Sequence, residues 1–325
     1  MVQTKNQVNQ DTQTIEPQYS STQVQMAVDV AGLHMKNPVT DAAGTFAAGR
    51  EYSQFVSLEK LGAVTTKSVA SEPWEGNVPP RIAEIDSGCI NCIGVQNPGM
   101  KALRAGDLAW LETQNVPIIL SVAGHSVDEY KGVVEYMNDD DKINAFEINI
   151  SCPNISTGGM SLGTDPNEAG KCIRAVRDLT NKTLIVKLTP NVTDITVIAK
   201  ACVDAGADAL SLINSPKGMV IDAYTRKPKL SRVEGGMSGP AVKPIALRDV
   251  WETHKAVDVP LIGIGGIRSG IDAVEFMLAG ATAVAVGSAN FVNPHATLDV
   301  IEGIKQYCID QGVSDVNDLI GGLIC

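Results

Sequence analysis

The sequence predicts an α/β protein, a (β/α)8 TIM barrel, on three observations. Eight short apolar runs recur along the chain: Pro38–Ala42, Ala63–Lys67, Pro117–Val122, Ala145–Asn149, Leu184–Leu188, Ala209–Ile213, Leu261–Ile264 and Ala283–Val286. Most are followed by a loop and an amphipathic helical segment, the pattern of parallel strands joined by right-handed crossovers. The runs are near-continuously apolar, as strands buried on both faces must be. Eight such units in 325 residues match a barrel of this kind. A doubly wound open sheet is the alternative, but no Gly-x-Gly-x-x-Gly with an acidic partner follows an early strand.

Residues 1–23 are rich in Gln, Asn, Thr and Ser without apolar period and read as a disordered polar tail. Residues 24–325 read as a single barrel domain, opened by a short N-terminal β-hairpin. Two helices show the local logic. Asp165-Pro-Asn-Glu168 has the form of a capping box with Pro166 at the first helical position, and Ala169, Cys172, Ile173 and Val176 then share one face. Thr193 reads as the cap of the next helix, with Ile195, Ile198, Ala199, Cys202 and Val203 as its buried stripe and Gly206 as its stop. No shorter repeat is visible beyond the βα unit.

Hydrophobic residues make up 44% and charged residues 19%, an ordinary globular balance. The net charge of -11 argues against nucleic-acid binding, which needs a basic footprint. An anionic substrate therefore requires a local cationic pocket. The seven cysteines, at 89, 92, 152, 172, 202, 308 and 325, are odd in number. They suggest a reducing cytoplasm rather than a disulfide framework. No apolar run approaches the roughly 20 residues of a membrane span, and no signal-peptide core is visible.

In such a barrel the chemistry sits at the C-terminal ends of the strands. Those ends carry Lys67, Asn149, Lys187, Asn214-Ser215, Gly265-Gly266 and Gly287-Ser288. The last two are glycine-rich and precede helices. They either merely turn the chain or let backbone N–H groups approach a phosphate, and their joint position after strands seven and eight favours phosphate. Lys67 and Lys187 end apolar strands. A lysine there either snorkels or meets an anion, and two beside a phosphate site favour a cationic pocket. Asn91, Asn149, Asn154 and Asn214 are turn residues or the donors and acceptors for a ring. Cys152, in Ser-Cys-Pro-Asn directly after strand four, is either a small buried hydrophobe or a reactive thiol at the barrel mouth.

Several motifs together resemble one family. Asn149-Ile-Ser-Cys-Pro-Asn154, Asn91-Cys-Ile-Gly-Val-Gln-Asn97-Pro-Gly99, Gly235-Gly-Met-Ser-Gly239-Pro240, Gly263-Ile-Gly-Gly266 and Gly287-Ser-Ala-Asn290 resemble the class 1 dihydroorotate dehydrogenases in order and approximate spacing, from about Val24 to the C-terminus. The wording is most similar to the B-type, NAD-linked catalytic subunit. The resemblance implies FMN as cofactor, oxidation of dihydroorotate to orotate in pyrimidine biosynthesis, and Cys152 as the catalytic base. It implies substrate contacts from Lys67, Asn91, Ile93, Gly94, Val95, Asn149, Asn154, Asn214 and Ser215. It implies flavin contacts from Ala43, Lys67, Ser68, Ser121, Asn149, Lys187, Ile213, Gly239, Gly265, Gly266, Gly287 and Ser288, and no metal. The implied assembly is a homodimer, or a heterotetramer with a subunit carrying FAD and a 2Fe–2S cluster, with NAD as acceptor and fumarate as the alternative.

Three positions depart from the family pattern: Ala43 where Ser is usual, Ser121 where B-type members often have Asn, and Asp41 in place of a common Pro. Cys89-Ile-Asn-Cys92 lies across the substrate loop and reads as a redox or metal pair, or as two small loop residues; two cysteines alone make a poor zinc site. Competing functions are an FMN enzyme acting on another dihydropyrimidine such as dihydrouracil, a flavin-free phosphate-binding barrel lyase, and a non-catalytic barrel that binds a partner.

Overall fold

The computed structural model describes residues 24–151 and 162–325. The predicted tail 1–23, and the predicted site residues Cys152 and Asn154, lie outside the described residues. The expected hairpin is present. β1 (Val28–Val30) and β2 (Leu33–Met35) pair antiparallel and bury Val28, Val30, Leu33 and Met35, while Asp29 and His34 between them face out. That is the two-residue period of a half-buried strand.

The chain enters the barrel at β3 (Val39–Asp41) and β4 (Val64–Thr65), then makes an excursion through β5 (Ile82–Ile85) and β6 (Gly88–Asn91). The return is helical: α1 (Met100–Leu103), a π turn over Arg104–Leu108 and α2 (Ala109–Leu111). Regular alternation follows: β7 (Ile118–Val122), α3 (Val127–Met137), β8 (Ile143–Asn149), α4 (Pro166–Arg177), β9 (Thr183–Lys187), α5 (Ile195–Asp204) and β10 (Ala209–Leu212). A second excursion carries β11 (Lys217–Gly218), β12 (Ile221–Asp222), β13 (Lys227–Pro228) and β14 (Gly235–Ser238). Then come α6 (Lys243–Ala256), β15 (Leu261–Ile264), α7 (Gly270–Leu278), β16 (Ala283–Val286), α8 (Ala289–Val292) and α9 (Ala296–Gln311).

Eight strands form one parallel sheet in the order β3-β16-β15-β10-β9-β8-β7-β4. The seam between β3 and β4 is closed by isolated bonds instead of a ladder. Gly62 N–H donates to Val39 O at 2.9 Å, and Thr40 and Thr65 share a hydroxyl contact at 3.0 Å. The Asp41 carboxyl accepts Thr65 N–H at 2.9 Å where a strand carbonyl would otherwise serve. A Cβ at Gly62 would lie 2.1 Å from Asn37 O, so only glycine lets the two segments come this close.

The eight predicted strands are all found, with shifted ends. β4 stops at Thr65 instead of Lys67. Beyond Thr65 its ladder is taken over by side chains and a loop: Ser121 N–H donates to the Thr66 hydroxyl at 3.1 Å, and Lys67 N–H to Ala47 O at 2.9 Å. β8 starts two residues early, at Ile143, through a register shift against Ile118. The caps differ too. Asp165 caps α4 by accepting from Asn167 and Glu168 N–H, but the Glu168 carboxylate takes Lys171 Nζ at 2.6 Å, so the box is half made. Asp194, not Thr193, caps α5. Its Oδ1 accepts both Thr196 N–H at 2.9 Å and the Thr196 hydroxyl at 2.7 Å, and its charge favours the helix N-terminus. Gly206 ends that helix at φ +104° as expected.

Cys172 on α4 and Cys202 on α5 are fully buried, and burial pushes each thiol up to about 12. Both therefore act as small hydrophobes.

Candidate active site

The parallel sheet brings all eight strand C-termini to one end of the barrel, and many of the described predicted residues stand at or just beyond those strand ends. Asn149 ends β8. Tyr130 Oη on α3 donates to its carbonyl at 2.8 Å, and its amide donates to Ser68 Oγ at 3.1 Å. Its Oδ1 accepts from the Ser151 N–H at 3.3 Å and the Ser151 hydroxyl at 2.6 Å. Asn214, two residues past β10, donates its amide to Asn149 Oδ1 at 3.4 Å and to Ser151 Oγ. Its own Oδ1 accepts Ser215 N–H at 2.7 Å. Two asparagines from strand ends 65 residues apart are thus joined over Ser151, the residue that precedes Cys152.

Beneath this pair lies a polar interior. Ser68 and Ser121 hydroxyls meet at 2.8 Å, and Ser121 also donates to Glu147 Oε1 at 3.0 Å. Ser211 donates to Glu147 Oε2 at 2.8 Å. Glu147 is 3% exposed and Ser121 is fully enclosed. Asp41, 0% exposed, faces the same interior within electrostatic reach of Glu147 and Lys187. Burial pushes its carboxyl up to about 8 against the lowering effect of the Thr65 N–H bond, and its Oδ2 has no partner among the described residues.

Lys187 ends β9 and is 4% exposed, yet no carboxylate lies within ion-pair distance among the described residues. A buried ammonium in that state fits an anionic or electron-rich ligand. Lys67 is brought beside the loop after β3: an ideal Cβ at Gly44, next to Ala43, would lie 3.4 Å from Lys67 Nζ.

The first excursion supplies the loop that carries Asn91, Ile93, Gly94 and Val95. β6 pairs with β14, setting Asn91 opposite Gly236, and the Asn91 amide donates to Gly236 O at 3.2 Å. Two glycine- and asparagine-rich motifs 145 residues apart are thereby one structure. Ile93 accepts Asn77 N–H at 3.0 Å, and a Cβ at Gly94 would strike Asn77 at 2.8 Å. Val95 sits at φ +51° and accepts from the Asn97 amide at 2.8 Å. Asn97 Oδ1 takes both Ala70 and Gly99 N–H groups, so Asn97 staples this loop to the segment that follows β4. The two cysteines of the Cys-x-x-Cys motif face different neighbours. A strand turns residues three apart to opposite faces. Accordingly Cys89 Sγ meets Ser238 Oγ at 3.2 Å while Cys92 Sγ faces Pro80 O at 3.8 Å. Among the described residues no cluster suited to a metal is present.

The glycine-rich end gathers Gly239, Gly265, Gly266, Gly287 and Ser288. Gly265 and Gly266 have φ +135° and +74°, and added Cβ atoms would meet Ala246 at 2.7 Å and Gly239 O at 2.9 Å. Gly287 differs. A Cβ there would touch nothing nearer than Ala42 at 3.5 Å, so the protein's own packing does not demand glycine. A glycine that packing does not require suits a ligand approaching the backbone, as a phosphate does. Ile213 is buried beside Gly265, with its N–H on Ile264 O at 2.9 Å.

Glu147, Asp41, Tyr130 and Asn97 carry much of this organisation and were given no role from sequence. For Glu147 a signal existed: a carboxylate inside the otherwise apolar run of β8 is rarely buried unpaired.

Residues 25–308 match the family model described as Dihydroorotate dehydrogenase. A relative from Alkaliphilus metalliredigens (strain QYMF), the "Dihydroorotate dehydrogenase B (NAD(+)), catalytic subunit", is 52% identical over 93% of this chain and 100% of its own length. The protein of the same name from Alkaliphilus oremlandii (strain OhILAs) is 53% identical over 92% of this chain and 98% of its own. That from Geotalea uraniireducens (strain Rf4) is 50% identical over the same shares. A crystal structure of the Eimeria tenella DHODH in complex with ferulenol superposes with a TM-score of 0.77 at 22% identity, covering 92% of this chain and 88% of that one, a likeness of fold. With the family model spanning most of its length and relatives at half identity, the chain belongs to the dihydroorotate dehydrogenase family.

Proposed function

We propose that this chain is the FMN-bearing catalytic subunit of an NAD-linked dihydroorotate dehydrogenase, oxidising dihydroorotate to orotate with Cys152 as base. The observation that carries the reading is Lys187, a buried lysine without an ion-pair partner among the described residues, set opposite Asn149 in the β8–β9 register. The residues present fit FMN. Lys187 suits the pyrimidine edge of the ring, where charge gathers on reduction. The open backbone at Gly287, with Gly239, Gly265, Gly266 and Ser288, suits the phosphate. Ala43, Ser68, Ser121 and Ile213 complete the set of flavin-side residues. When bound, FMN supplies the hydride acceptor.

The protein's own groups do the rest. Asn91, Asn149, Asn154 and Asn214 orient the substrate ring by hydrogen bonds, with Ile93, Gly94, Val95 and Ser215 lining it. Lys67 offsets the substrate carboxylate. The thiolate of Cys152 removes the proton from the carbon next to the ring carbonyl. A cysteine base needs its thiolate. For assembly we infer a homodimer extended to a heterotetramer by an electron-transfer subunit with FAD and a 2Fe–2S cluster, in the cytoplasm. Among the described residues no helix is long and apolar enough to cross a membrane.

An anaerobic absorbance spectrum before and after adding dihydroorotate tests the reading. A bound-flavin spectrum that bleaches at once is the expected result. Bound flavin that ignores dihydroorotate but responds to dihydrouracil would reassign the substrate, and absence of flavin after reconstitution would overturn the proposal. For Lys187→Ala, FMN affinity is expected to fall at least tenfold, read by flavin fluorescence on titration; unchanged affinity and spectrum would remove Lys187 from the flavin site.

A further inference from the structure

We propose that Glu147 is a positioning residue that fixes which way the Asn149 amide faces, acting through the hydroxyls of Ser121 and Ser68. The inference rests on the reading of Asn149 as a substrate contact.

The direction of the relay follows from counting hydrogens. A carboxylate only accepts, and a serine hydroxyl has one hydrogen to give. Ser121 spends its hydrogen on Glu147 Oε1 at 3.0 Å. In the 2.8 Å contact between Ser121 and Ser68, Ser68 must therefore be the donor. With its hydrogen spent, Ser68 Oγ can only accept from Asn149, and at 3.1 Å it does so from the amide nitrogen. Asn149 Oδ1 is then forced to the other side, where the Ser151 N–H, the Ser151 hydroxyl and the Asn214 amide all donate to it. That in turn leaves Asn214 Oδ1 to accept Ser215 N–H. An asparagine oxygen and nitrogen have nearly the same shape, so packing alone does not choose between the two orientations. The Ser151 N–H, which can only donate, favours this orientation from one side, and Glu147 holds it from the other, two side chains away.

The second oxygen of Glu147 provides the control. Ser211 donates to Oε2 at 2.8 Å and lies on β10, outside the chain of donors that leads to Asn149. Ser121→Ala and Ser211→Ala each strip one hydroxyl from the same buried carboxylate. Only Ser121→Ala cuts the relay, freeing Ser68 to donate to Asn149 Oδ1 and the amide to turn over.

The test is orotate binding to the FMN-loaded protein, read as the flavin difference spectrum, with FMN content and thermal midpoint measured on the same samples. Ser121→Ala, reconstituted to the FMN occupancy of the wild type, is expected to raise the orotate Kd at least tenfold. Ser211→Ala is expected to leave that Kd within twofold while lowering the midpoint by a similar amount. Adding Glu147→Gln to Ser121→Ala should cost little further affinity, because both act on one relay. Equal loss of orotate affinity in the two alanine variants would show that Glu147 needs only its hydroxyl partners, and would overturn the relay. Loss of FMN from Ser121→Ala in step with orotate affinity would likewise overturn it, placing Ser121 in flavin binding alone. A wild-type holoenzyme that does not bind orotate would instead overturn the substrate reading, and the relay proposal with it.

Discussion

Cys152→Ala is expected to keep its flavin and lose turnover by between a hundredfold and ten-thousandfold, roughly the contribution of a positioned general base. Three features make the loss specific. The flavin-side residues come from other strand ends, at Lys187, Gly265, Gly266 and Gly287, so cofactor affinity has no reason to follow the thiol. The substrate-side asparagines are held by their own network through Ser68, Ser151 and Tyr130, so orotate affinity should change little. And the two cysteines nearest in sequence give no substitute base: Cys172 and Cys202 are fully buried on α4 and α5, with thiols that burial pushes up to about 12. Stopped-flow reduction of bound flavin by dihydroorotate measures the step directly. A reduction rate within threefold of wild type would remove Cys152 from the mechanism, whereas a slow rate with normal orotate affinity separates base catalysis from binding.

What the sequence makes legible here depends on how local the cause is. Barrel strands such as Leu261–Ile264 and Ala283–Val286 are apolar on both faces because both faces are buried, so their runs coincide with the observed strands to the residue. Strand ends set by tertiary bonds are less legible. Lys67 reads as strand from its neighbours, yet its N–H is claimed by Ala47 across the β3–β4 connection. The excursion sheet of β11, β14, β6 and β5 is invisible locally, because its central pairing joins Asn91 to Gly236. Such short segments, half exposed and glycine-rich, carry neither period. The motifs themselves were legible as a resemblance, but why Asn91 and Gly235–Gly239 travel together was not. Glu147 and Asp41 mark the same boundary. A carboxylate in a buried strand can be noticed from sequence, but its partners stand on β7, β10 and β4, and only the closed barrel brings them to it.

Asp41→Asn is expected to stabilise the fold and to flatten its dependence on pH. Asp41 closes the β3–β4 seam with one oxygen, on Thr65 N–H, and leaves the other buried without a partner. Ionising it there costs more than in the unfolded chain. Burial is the largest cause and Glu147 adds to it, while the Thr65 bond and Lys187 offset part, leaving the folded-state value at about 8 against an ordinary 3.8. Between those values the unfolded chain has released a proton that the folded protein still holds. Stability is therefore full below the ordinary value, declines as pH rises toward 8, and levels off above it. At about 1.4 kcal/mol per pH unit, the loss by pH 7 is on the order of 4 kcal/mol. Asparagine keeps an oxygen for Thr65 N–H and cannot ionise, so the variant should match wild type near pH 4 and exceed it progressively toward pH 8. Denaturant unfolding at a series of pH values distinguishes this from a general gain in packing, which would lift the curve equally at every pH. Parallel curves would mean that Asp41 is already ionised in the folded protein and that Lys187, a cation within its electrostatic reach, compensates its charge. In that case the flavin-side lysine is paired from below, and Asp41→Asn should shift the flavin reduction potential as well.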